Sequence, residues 1–376
     1  RLEHFKGPEY SFTGLVNSSS VSAGYLDEGE REVWIGANTA GFALMNTASY
    51  NLKDDDVPSS LMDREGVIIF KALGICSSLE EFEAFLDTLP RPLGVEANFG
   101  AIDAFGGAAY YEVNNSSWVK YDVNDPETAP DGYTVVTNFS FSGREEDRKG
   151  YERYLTASAI FSERIGSGIL VDIPFLFDGV SRSFRHEFLG VDYSRDYDKM
   201  KESGFCNGIV VDQDFIPRRS TSASVAVQGV KKDESVSHVV MWALLGYPIC
   251  GTAVPVPVSD RNIIPDYLCA GSVSHNALMC DFSLSIKDRF VFRFNSSNGR
   301  SYLDLDAVIC GRGRRHSLVS CASESDGEIR KIFDVVFNKY LSGRCSYGQY
   351  LEGYKEISSE FIDIYTNKFK SYLSEE

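Results

Sequence analysis

The stretch of sequence that decides the fold reads Trp34-Ile-Gly36-Ala-Asn38-Thr-Ala-Gly41-Phe-Ala-Leu-Met-Asn46-Thr-Ala-Ser-Tyr-Asn. Apolar residues flank an Asn-Thr-Ala-Gly turn, and Gly41 readily adopts the positive φ that such a turn requires. The pattern predicts a β-hairpin whose returning strand ends in a cluster of amide side chains. An ordinary β-turn without any functional role explains the same residues equally well.

Working outward, the chain from 31 to 141 consists mainly of short runs of β-forming residues separated by turn residues. The predicted strands are 33–36, 41–46, 107–112, 118–121 and 132–138. Ser78-Leu-Glu-Glu81 matches a capping box, so a helix is predicted from Leu79 until Pro90 ends it. A second helix is predicted over 145–165.

In the rest of the chain, predicted strands again come before predicted helices. Strands are predicted at 223–229, 239–245 and 253–258, and the two prolines of the last run confine it to a sheet edge or an extended segment. From Asp326 the pattern is helical and amphipathic. We found neither a fixed repeat nor a long linker, which predicts one α+β domain over 1–376 whose C-terminal part, 326–376, is helical.

Composition excludes several classes of function. The formal net charge is −17, with 54 acidic and 37 basic residues, so the chain repels nucleic acid. The sequence contains no apolar run of the roughly 20 residues that a membrane span needs. The eight cysteines form no Cys-x-x-Cys pair, and Asp54-Asp55-Asp56 is interpreted as a solvated loop, so no metal site is predicted.

Several motifs resemble those of N-terminal-nucleophile amide hydrolases of the penicillin acyltransferase-like and choloylglycine hydrolase kind. Gly36-x-Asn38-x-x-Gly41 is similar to a hairpin of this superfamily, and Asn46 falls where the family has an oxyanion-hole asparagine. Asp103-x-x-Gly resembles a second family hairpin, although an Asp before a Gly-rich turn is more often structural. The resemblance implies a four-layer αββα sandwich of two stacked antiparallel sheets flanked by helices.

Two further segments resemble parts of these enzymes that belong to the catalytic site or bind the substrate. Thr137-Asn138 is similar to a family Thr-Asn motif whose asparagine belongs to the catalytic constellation, but Phe139 follows where relatives have His or Asn. Without the family, Asn138 would more often be a capping residue. Relatives place a basic residue before a Thr-led strand, so the resemblance implies that Arg218 or Arg219 meets a substrate carboxylate. A solvated arginine pair explains these two residues as well.

The resemblance also raises the question of the nucleophile. These enzymes begin their mature chain with Cys, Ser or Thr, whereas this chain begins with Arg1 and contains neither Asp-Gly-Arg-Pro nor Asn-Arg-Asp. We therefore expect a cysteine nucleophile upstream of Arg1, and we expect this chain alone to be inactive. Cys76, before a capped helix, could have a lowered pKa, but it is not a suitable replacement. A leader removed ahead of Arg1 would indicate an exported protein.

The sequence thus predicts a hydrolase of linear amide bonds in small N-acylated molecules, or an acyltransferase, that uses a cysteine acyl-enzyme and no cofactor. The alternative is a catalytically inactive protein that binds small ligands on the same scaffold. The expected partner is a small acyl amide, and a homo-oligomer is compatible with the sequence. The acyl group, the amine and the choice between hydrolysis and transfer are not determined by these motifs.

Overall fold

The computed structural model describes residues 1–18, 31–52, 57–204, 207–271, 275–295, 301–314 and 316–374. The acidic run Asp54-Asp55-Asp56 and Cys206 lie outside the described residues.

The first half of the chain builds one antiparallel sheet in which each strand pairs with the next along the chain; seven strands belong to it within the described ranges. They are β1 (Leu2–Lys6), β2 (Ser11–Leu15), β3 (Ile35–Asn38), β4 (Ala43–Ala48), β5 (Ala97–Ile102), β6 (Ala108–Val113) and β7 (Trp118–Asp122). The predicted hairpin joins β3 to β4, with Gly41 at φ +84°. The Asn38 side chain closes the turn by accepting from the backbone N of Ala40 and of Phe42, both at 3.1 Å.

Two helices, α1 (Glu65–Ile75) and α2 (Leu79–Thr88), pack on one face of this sheet. Phe82 of α2 is fully buried among Phe42, Phe99 and Tyr111, with ring centroids 5.3–6.0 Å apart. Full burial of such a side chain contributes about 1.5–3 kcal/mol. The helix predicted after Ser78 is therefore confirmed, and it has the single apolar stripe that packing on a sheet requires.

The start of α2 departs from the predicted capping box in one detail. The Ser78 side chain accepts from the Glu81 backbone N at 3.2 Å, as the box requires. The Glu81 carboxylate, however, accepts from the backbone N of Ser77 at 2.6 Å. The reciprocal half of the box has thus moved one residue towards the N-terminus, where it satisfies another free donor.

The predictions for residues 132–165 were wrong in two places. Residues 132–138 form no strand. Helix α3 spans Tyr151–Gly166 rather than 145–165, because Gly150 precedes it in the left-handed region at φ +90°. Short elements follow: β8 (Arg185–His186), β9 (Val191–Asp192), α4 (Tyr193–Glu202) and β10 (Ile209–Val211).

A second antiparallel sheet is formed by β11 (Ala223–Gln228), β12 (Val240–Leu245) and β13 (Val254–Pro257), which confirms the three strands predicted here. All residues of β12 are buried. The proline-containing β13 pairs with β12 and lies at the edge of the three strands in the described chain, as its prolines require. The remaining elements are α5 (Leu278–Ile286), β14 (Phe294–Asn295), β15 (Ser301–Asp304), α6 (Leu318–Leu341), α7 (Tyr347–Lys368) and α8 (Lys370–Leu373).

One hydrophobic core connects the large sheet, the second sheet and the C-terminal helices. Leu2 and Ala43 of the large sheet belong to the same buried cluster as Trp242 of β12 and Phe333 of α6. Two buried tyrosines of α7 donate to carbonyl groups of the second sheet and its connection: Tyr354 to Pro255 and Tyr365 to Cys250, each at 2.8 Å. The architecture is α+β, and helix α6 begins ahead of the predicted boundary at Asp326. The single-domain assignment stays a prediction.

His4 predicts how stability depends on pH. It lies on β1, where burial lowers the pKa of its imidazole and the charge of Lys6 lowers it further, although Asp260 opposes the shift. The folded state therefore binds fewer protons than the unfolded state below a pH of about 6.5. We expect the stability contributed by neutral His4 to be complete above this pH and to be lost as the pH falls through the lowered pKa.

Urea unfolding of wild-type protein and His4→Gln at pH 7 and pH 5 measures this effect. The variant should lose less unfolding free energy than wild type between the two pH values. His275→Asn is a suitable control because position 275 is exposed and asparagine tolerates its φ of +57°. Equal losses in His4→Gln and wild type would contradict the assignment.

Candidate functional site

The face of the large sheet opposite α1 and α2, here called the inner face, carries a row of polar groups at its end. Leu44 and Phe99 point toward the helices. Because side chains alternate along a strand, Thr47 and Asn98 point to the inner face, where their positions pair across β4 and β5. Both donate to the backbone carbonyl of Thr137, Thr47 Oγ1 at 3.1 Å and Asn98 Nδ2 at 3.0 Å.

These contacts explain why residues 132–138 are not a strand. The carbonyl of Thr137 accepts from side chains instead of from a neighbouring strand. Farther along, the Glu112 carboxylate accepts from the backbone N of Phe141 at 2.6 Å and of Ser142 at 2.7 Å. The segment therefore lies across the end of the inner face and is held by side chains of β4, β5 and β6.

A buried cluster of hydrogen bonds at Ser140 holds the same segment against the large sheet. Ser140 Oγ donates to Asn98 Oδ1 at 2.6 Å, and the Asn51 carboxamide bonds both the N and the O of the Ser140 backbone, at 2.9 and 2.7 Å. The exposed fractions of Asn98, Ser140 and Asn51 are 0–1%. A buried cluster whose members are all paired is rigid, so this segment has a fixed position over the sheet.

Asn138 lies within this segment and makes contacts on both sides of its carboxamide. Its Nδ2 donates to the Ala48 carbonyl at 2.7 Å and to Thr47 Oγ1 at 3.2 Å. Its Oδ1 accepts from Arg153 Nη2 at 2.9 Å. Asn138 thus connects the end of β4 to the first turn of α3.

Arg153 is the most buried cation of this region, with an exposed fraction of 7%. Its Nη1 forms ion pairs with Glu152 at 2.8 Å and with Asp214 at 3.0 Å. Burial lowers the pKa of its guanidinium, and the nearby charge of Arg218 lowers it further. An arginine remains protonated despite such a shift. Arg153 is therefore a fixed charge held by Asn138 and by the carboxylates of Glu152 and Asp214.

Arg218 and Arg219 line an open cleft of about 540 Å³, together with Asp212, Asp214, Ser220, Lys287 and Asp288. Arg219 Nη1 donates to Ser301 Oγ at 3.0 Å, and its backbone N donates to Asp212 at 3.1 Å. By contrast, the buried Arg218 Nε has no hydrogen-bond partner among the described residues. The lining has three basic and three acidic side chains, so it is the buried unpaired donor of Arg218, and not an excess of positive charge, that suits an anionic ligand.

The Asn46 side chain lies on the opposite side of the large sheet from Asn138. Asn46 pairs with Phe99 across β4 and β5, so its side chain lies on the helix-facing side of the sheet. The neighbouring Thr47 points to the inner face and contacts Asn138. The Asn46 and Asn138 side chains thus do not meet, although strand alternation brings Thr47, the residue after Asn46, beside Asn138. A catalytic role for Asn46 stays a prediction.

Other sequence candidates are structural. Asp103 Oδ1 accepts from the backbone N of Phe105 at 2.9 Å and of Gly107 at 2.8 Å, and its Oδ2 accepts from Leu79 N at 3.0 Å. Its structural interpretation is confirmed. Burial raises the pKa of the Cys76 thiol to about 12, so the suggestion of a lowered pKa was wrong. The helix end does not compensate for the loss of solvent around the sulfur.

The described residues contain neither a candidate metal site nor a candidate membrane span. They hold no group of three or more His, Cys, Asp or Glu side chains placed to bind a metal ion. Among the helices of the described ranges, every one is too short or too polar to cross a membrane.

Sequence reasoning missed Thr47, Asn98 and Arg153. A usable signal for the first two was polarity at inner-face positions of otherwise apolar strands, because a buried polar residue in a strand needs a partner. Arg153 offered only its position on the apolar stripe of α3. Its partners Asn138 and Asp214 lie 15 and 61 residues away, which no local pattern indicates.

A scan against protein-family models found no match, and a search of curated proteins by sequence found none. A search of solved structures found 34 matching chains, among them three with probability 1.00 at low TM-scores. A mutant conjugated bile acid hydrolase from Clostridium perfringens is 14% identical at TM-score 0.27, covering 44% of this chain and 61% of that chain. Penicillin V acylase from Agrobacterium tumefaciens is 13% identical at TM-score 0.32, covering 69% and 76%. A variant of the Clostridium hydrolase is 11% identical at TM-score 0.32, covering 69% and 83%.

Proposed function

We propose that this chain is the scaffold of an N-terminal-nucleophile amide hydrolase, or of an acyltransferase, that acts on small N-acylated molecules. The observation that carries the proposal is the hydrogen-bonded connection from Asn138 through Arg153 to Asp214, which lines the same cleft as Arg218. It links the Thr-Asn motif to the arginine pair, the two sequence features that resemble the catalytic and carboxylate-binding parts of these enzymes. In the proposed fold, α1 and α2, the large sheet, the second sheet and the C-terminal helices are the four layers of an αββα sandwich.

The proposed reaction proceeds through a cysteine encoded ahead of Arg1. Its thiolate attacks the amide carbonyl, its α-amino group takes up the thiol proton, and the amine leaves with a proton to give an acyl-enzyme. Water then releases the acid, or a second amine accepts the acyl group. No cofactor enters this sequence of steps.

Described residues have distinct parts in this proposal. Asn138, held by Arg153, positions the segment beside the reacting amide. Arg218 binds a carboxylate of the substrate, since Arg219 is already bonded to Ser301. The oxyanion role predicted for Asn46 stays a proposal, and it requires the side chain to leave the helix-facing side of the sheet on which it lies.

The test uses the full-length, processed protein and a panel of N-acyl amino acids with matched neutral N-acyl amides. We expect release of the acid, and we expect iodoacetamide to abolish it. Arg218→Met should raise KM about tenfold or more for substrates with a carboxylate, because hydrogen bonds to charged groups contribute about 1.5–3 kcal/mol. KM for neutral amides should change little.

Arg195→Met is the control, because Arg195 is exposed on α4 and paired with Asp196 on the same helix. Absence of thiol-dependent cleavage across the panel would leave the alternative of an inactive ligand-binding protein. Reading the gene upstream of Arg1 separates the two alternatives independently: an encoded Cys followed by Asp-Gly-Arg-Pro and Asn-Arg-Asp supports the enzyme.

A further inference from the structure

Asp304, the last residue of β15, holds two arginines together at the protein surface. Its side chain is fully buried, and its carboxylate contacts both guanidinium groups through their Nε atoms. Arg312 Nε lies 2.7 Å from both carboxylate oxygens, and Arg293 Nε lies 3.1 Å from Oδ2. The backbone N of Ala307 also donates to Oδ1, at 3.1 Å. Because both Nε atoms meet one oxygen, the two guanidinium groups lie side by side.

The charges around Asp304 do not cancel among the described residues. One carboxylate faces two guanidinium groups. The next carboxylate along the chain, Asp306, is paired with Lys201 and accepts from Tyr197 Oη at 2.7 Å. In the part of the chain that the structure describes, neither arginine forms an ion pair with a second carboxylate. The arginine pair therefore keeps one positive charge in excess.

Both guanidinium groups are held in place before any ligand binds. The Arg293 guanidinium stacks on the Phe294 ring, with Cζ 4.6 Å from the ring centroid. Arg312 has a φ of +46° and lies between Gly311 at +76° and Gly313 at +81°. The left-handed conformation is unfavourable for a residue with a Cβ, and such strained residues occur preferentially at ligand-binding positions. The turn thus fixes Arg312 beside Asp304.

The Nη groups of the two arginines remain for a ligand. The side chains of Arg293 and Arg312 are 39% and 32% exposed, and within the described residues their hydrogen bonds use Nε alone. Two planar guanidinium groups with one charge in excess suit a compact anion with several acceptor oxygens. A phosphate group has this shape and this charge.

We infer that Arg293 and Arg312 form a binding site for the phosphate group of a small molecule. The site lies at one end of β15, in the three-stranded sheet of β10, β15 and β14. Ser301 at the other end of β15 accepts a hydrogen bond from Arg219 of the cleft. At about 3.4 Å per residue, the two ends are roughly 10 Å apart. The phosphate site is separate from the residues of the proposed amide hydrolase and does not depend on that function.

Isothermal titration calorimetry of the full-length protein measures binding of inorganic phosphate, glycerol 3-phosphate and acetate at low ionic strength, where screening is weak. We expect one molecule of either phosphate ligand to bind per chain. Acetate should bind at least tenfold more weakly, because it offers fewer oxygens and less charge to the two guanidinium groups. Arg293→Met and Arg312→Met should each weaken phosphate binding about tenfold or more, since each removes charge-assisted hydrogen bonds.

Arg289→Met is the matched control. Arg289 is exposed, and its guanidinium stacks on Phe290, with Cζ 5.2 Å from the ring centroid. This variant removes the same charge from a position four residues before Arg293, and it should change the affinity by less than about twofold. Arg312→Lys keeps a cation beside Asp304, so it tests the site even if Arg312→Met does not fold. It should weaken phosphate binding several-fold, because an ammonium group lacks the planar pair of donors.

The outcomes distinguish the source of the phosphate group. Tighter binding of glycerol 3-phosphate than of inorganic phosphate would indicate an organic phosphate as the ligand, and equal binding would limit recognition to the phosphate group; both results support the inference. Acetate binding as tight as phosphate binding, or equal losses in Arg289→Met and Arg293→Met, would overturn it. Absence of saturable binding of either phosphate ligand would overturn it as well. Amide cleavage is measured separately, so the proposed hydrolase stands or falls by its own test.

Discussion

Replacing Asn138 with alanine is expected to lower kcat for amide cleavage by the full-length, processed protein about a hundredfold, with little change in KM. The Asn138 carboxamide joins Ala48, Thr47 and Arg153. Its loss would remove the bonds from this residue that help hold the segment over the inner face, and one of the contacts that hold the neighbouring guanidinium. Loss of one preorganised polar group in an active site costs about 10²–10³ in kcat. Steady-state kinetics with one N-acyl amino acid measures the effect.

Two variants show whether Asn138 acts through position or only through folding. Asn124→Ala removes an exposed asparagine whose Nδ2 donates to the Gly106 carbonyl at 2.9 Å, and it should leave kcat unchanged. Asn138→Asp keeps the contact with Arg153 but loses the two donated bonds, so its kcat should lie between wild type and Asn138→Ala. A change in KM alone, or an effect equal to that of Asn124→Ala, would remove Asn138 from the proposed mechanism.

The largest expected loss of stability follows from replacing Arg182 with methionine. The Arg182 side chain is 1% exposed and forms ion pairs with Asp178 and Asp326, both at 2.7 Å. Its Nε and Nη2 also donate to the carbonyls of Pro248 and Gly251, at 2.9 and 3.2 Å. Arg182 thus ties the middle of the chain to α6 and to the connection between β12 and β13.

We expect Arg182→Met to lower the unfolding free energy by about 3–5 kcal/mol, because it leaves the Asp326 carboxylate without its buried cation. Urea unfolding followed by circular dichroism measures the change. Arg182→Met combined with Asp326→Asn should recover part of the loss, since the uncompensated charge is then removed. Arg195→Met, which breaks an exposed pair, should unfold as wild type does; a similar loss in both single variants would contradict the role of Arg182.

Local patterns predicted those elements that neighbouring residues determine. The Asn-Thr-Ala-Gly turn with Gly41, the helix after Ser78 and the edge strand with two prolines were all confirmed. Each depends on contacts within a few residues: a positive φ, a cap on a free backbone N–H, or a missing donor. The structural interpretation of Asp103 belongs to the same class, because its carboxylate bonds the backbone of its own turn.

The failures concern residues whose partners are distant in sequence. The strand predicted over 132–138 had the right composition, but the Thr137 carbonyl accepts from side chains of β4 and β5. The role of Asn46 stays a prediction, because similarity of motif does not determine the face that a strand residue occupies; this face depends on register, and a shift by one residue reverses it. Arg153 carried no local signal of its place between Asn138 and Asp214.

By itself, the sequence determined the α+β class, most strands and helices, and the two motifs at Thr137-Asn138 and Arg218-Arg219. Only the tertiary structure decided that Arg153 connects Asn138 to the cleft that Arg218 lines, that Thr47 rather than the Asn46 side chain meets Asn138, and that Arg293 and Arg312 meet at Asp304. The physical reason is the separation along the chain between the residues that are in contact. Turns and caps are fixed by neighbours along the chain, while the contacts of Asn138 with Thr47 and of Arg182 with Asp326 span 91 and 144 residues and form only when the sheets and helices pack.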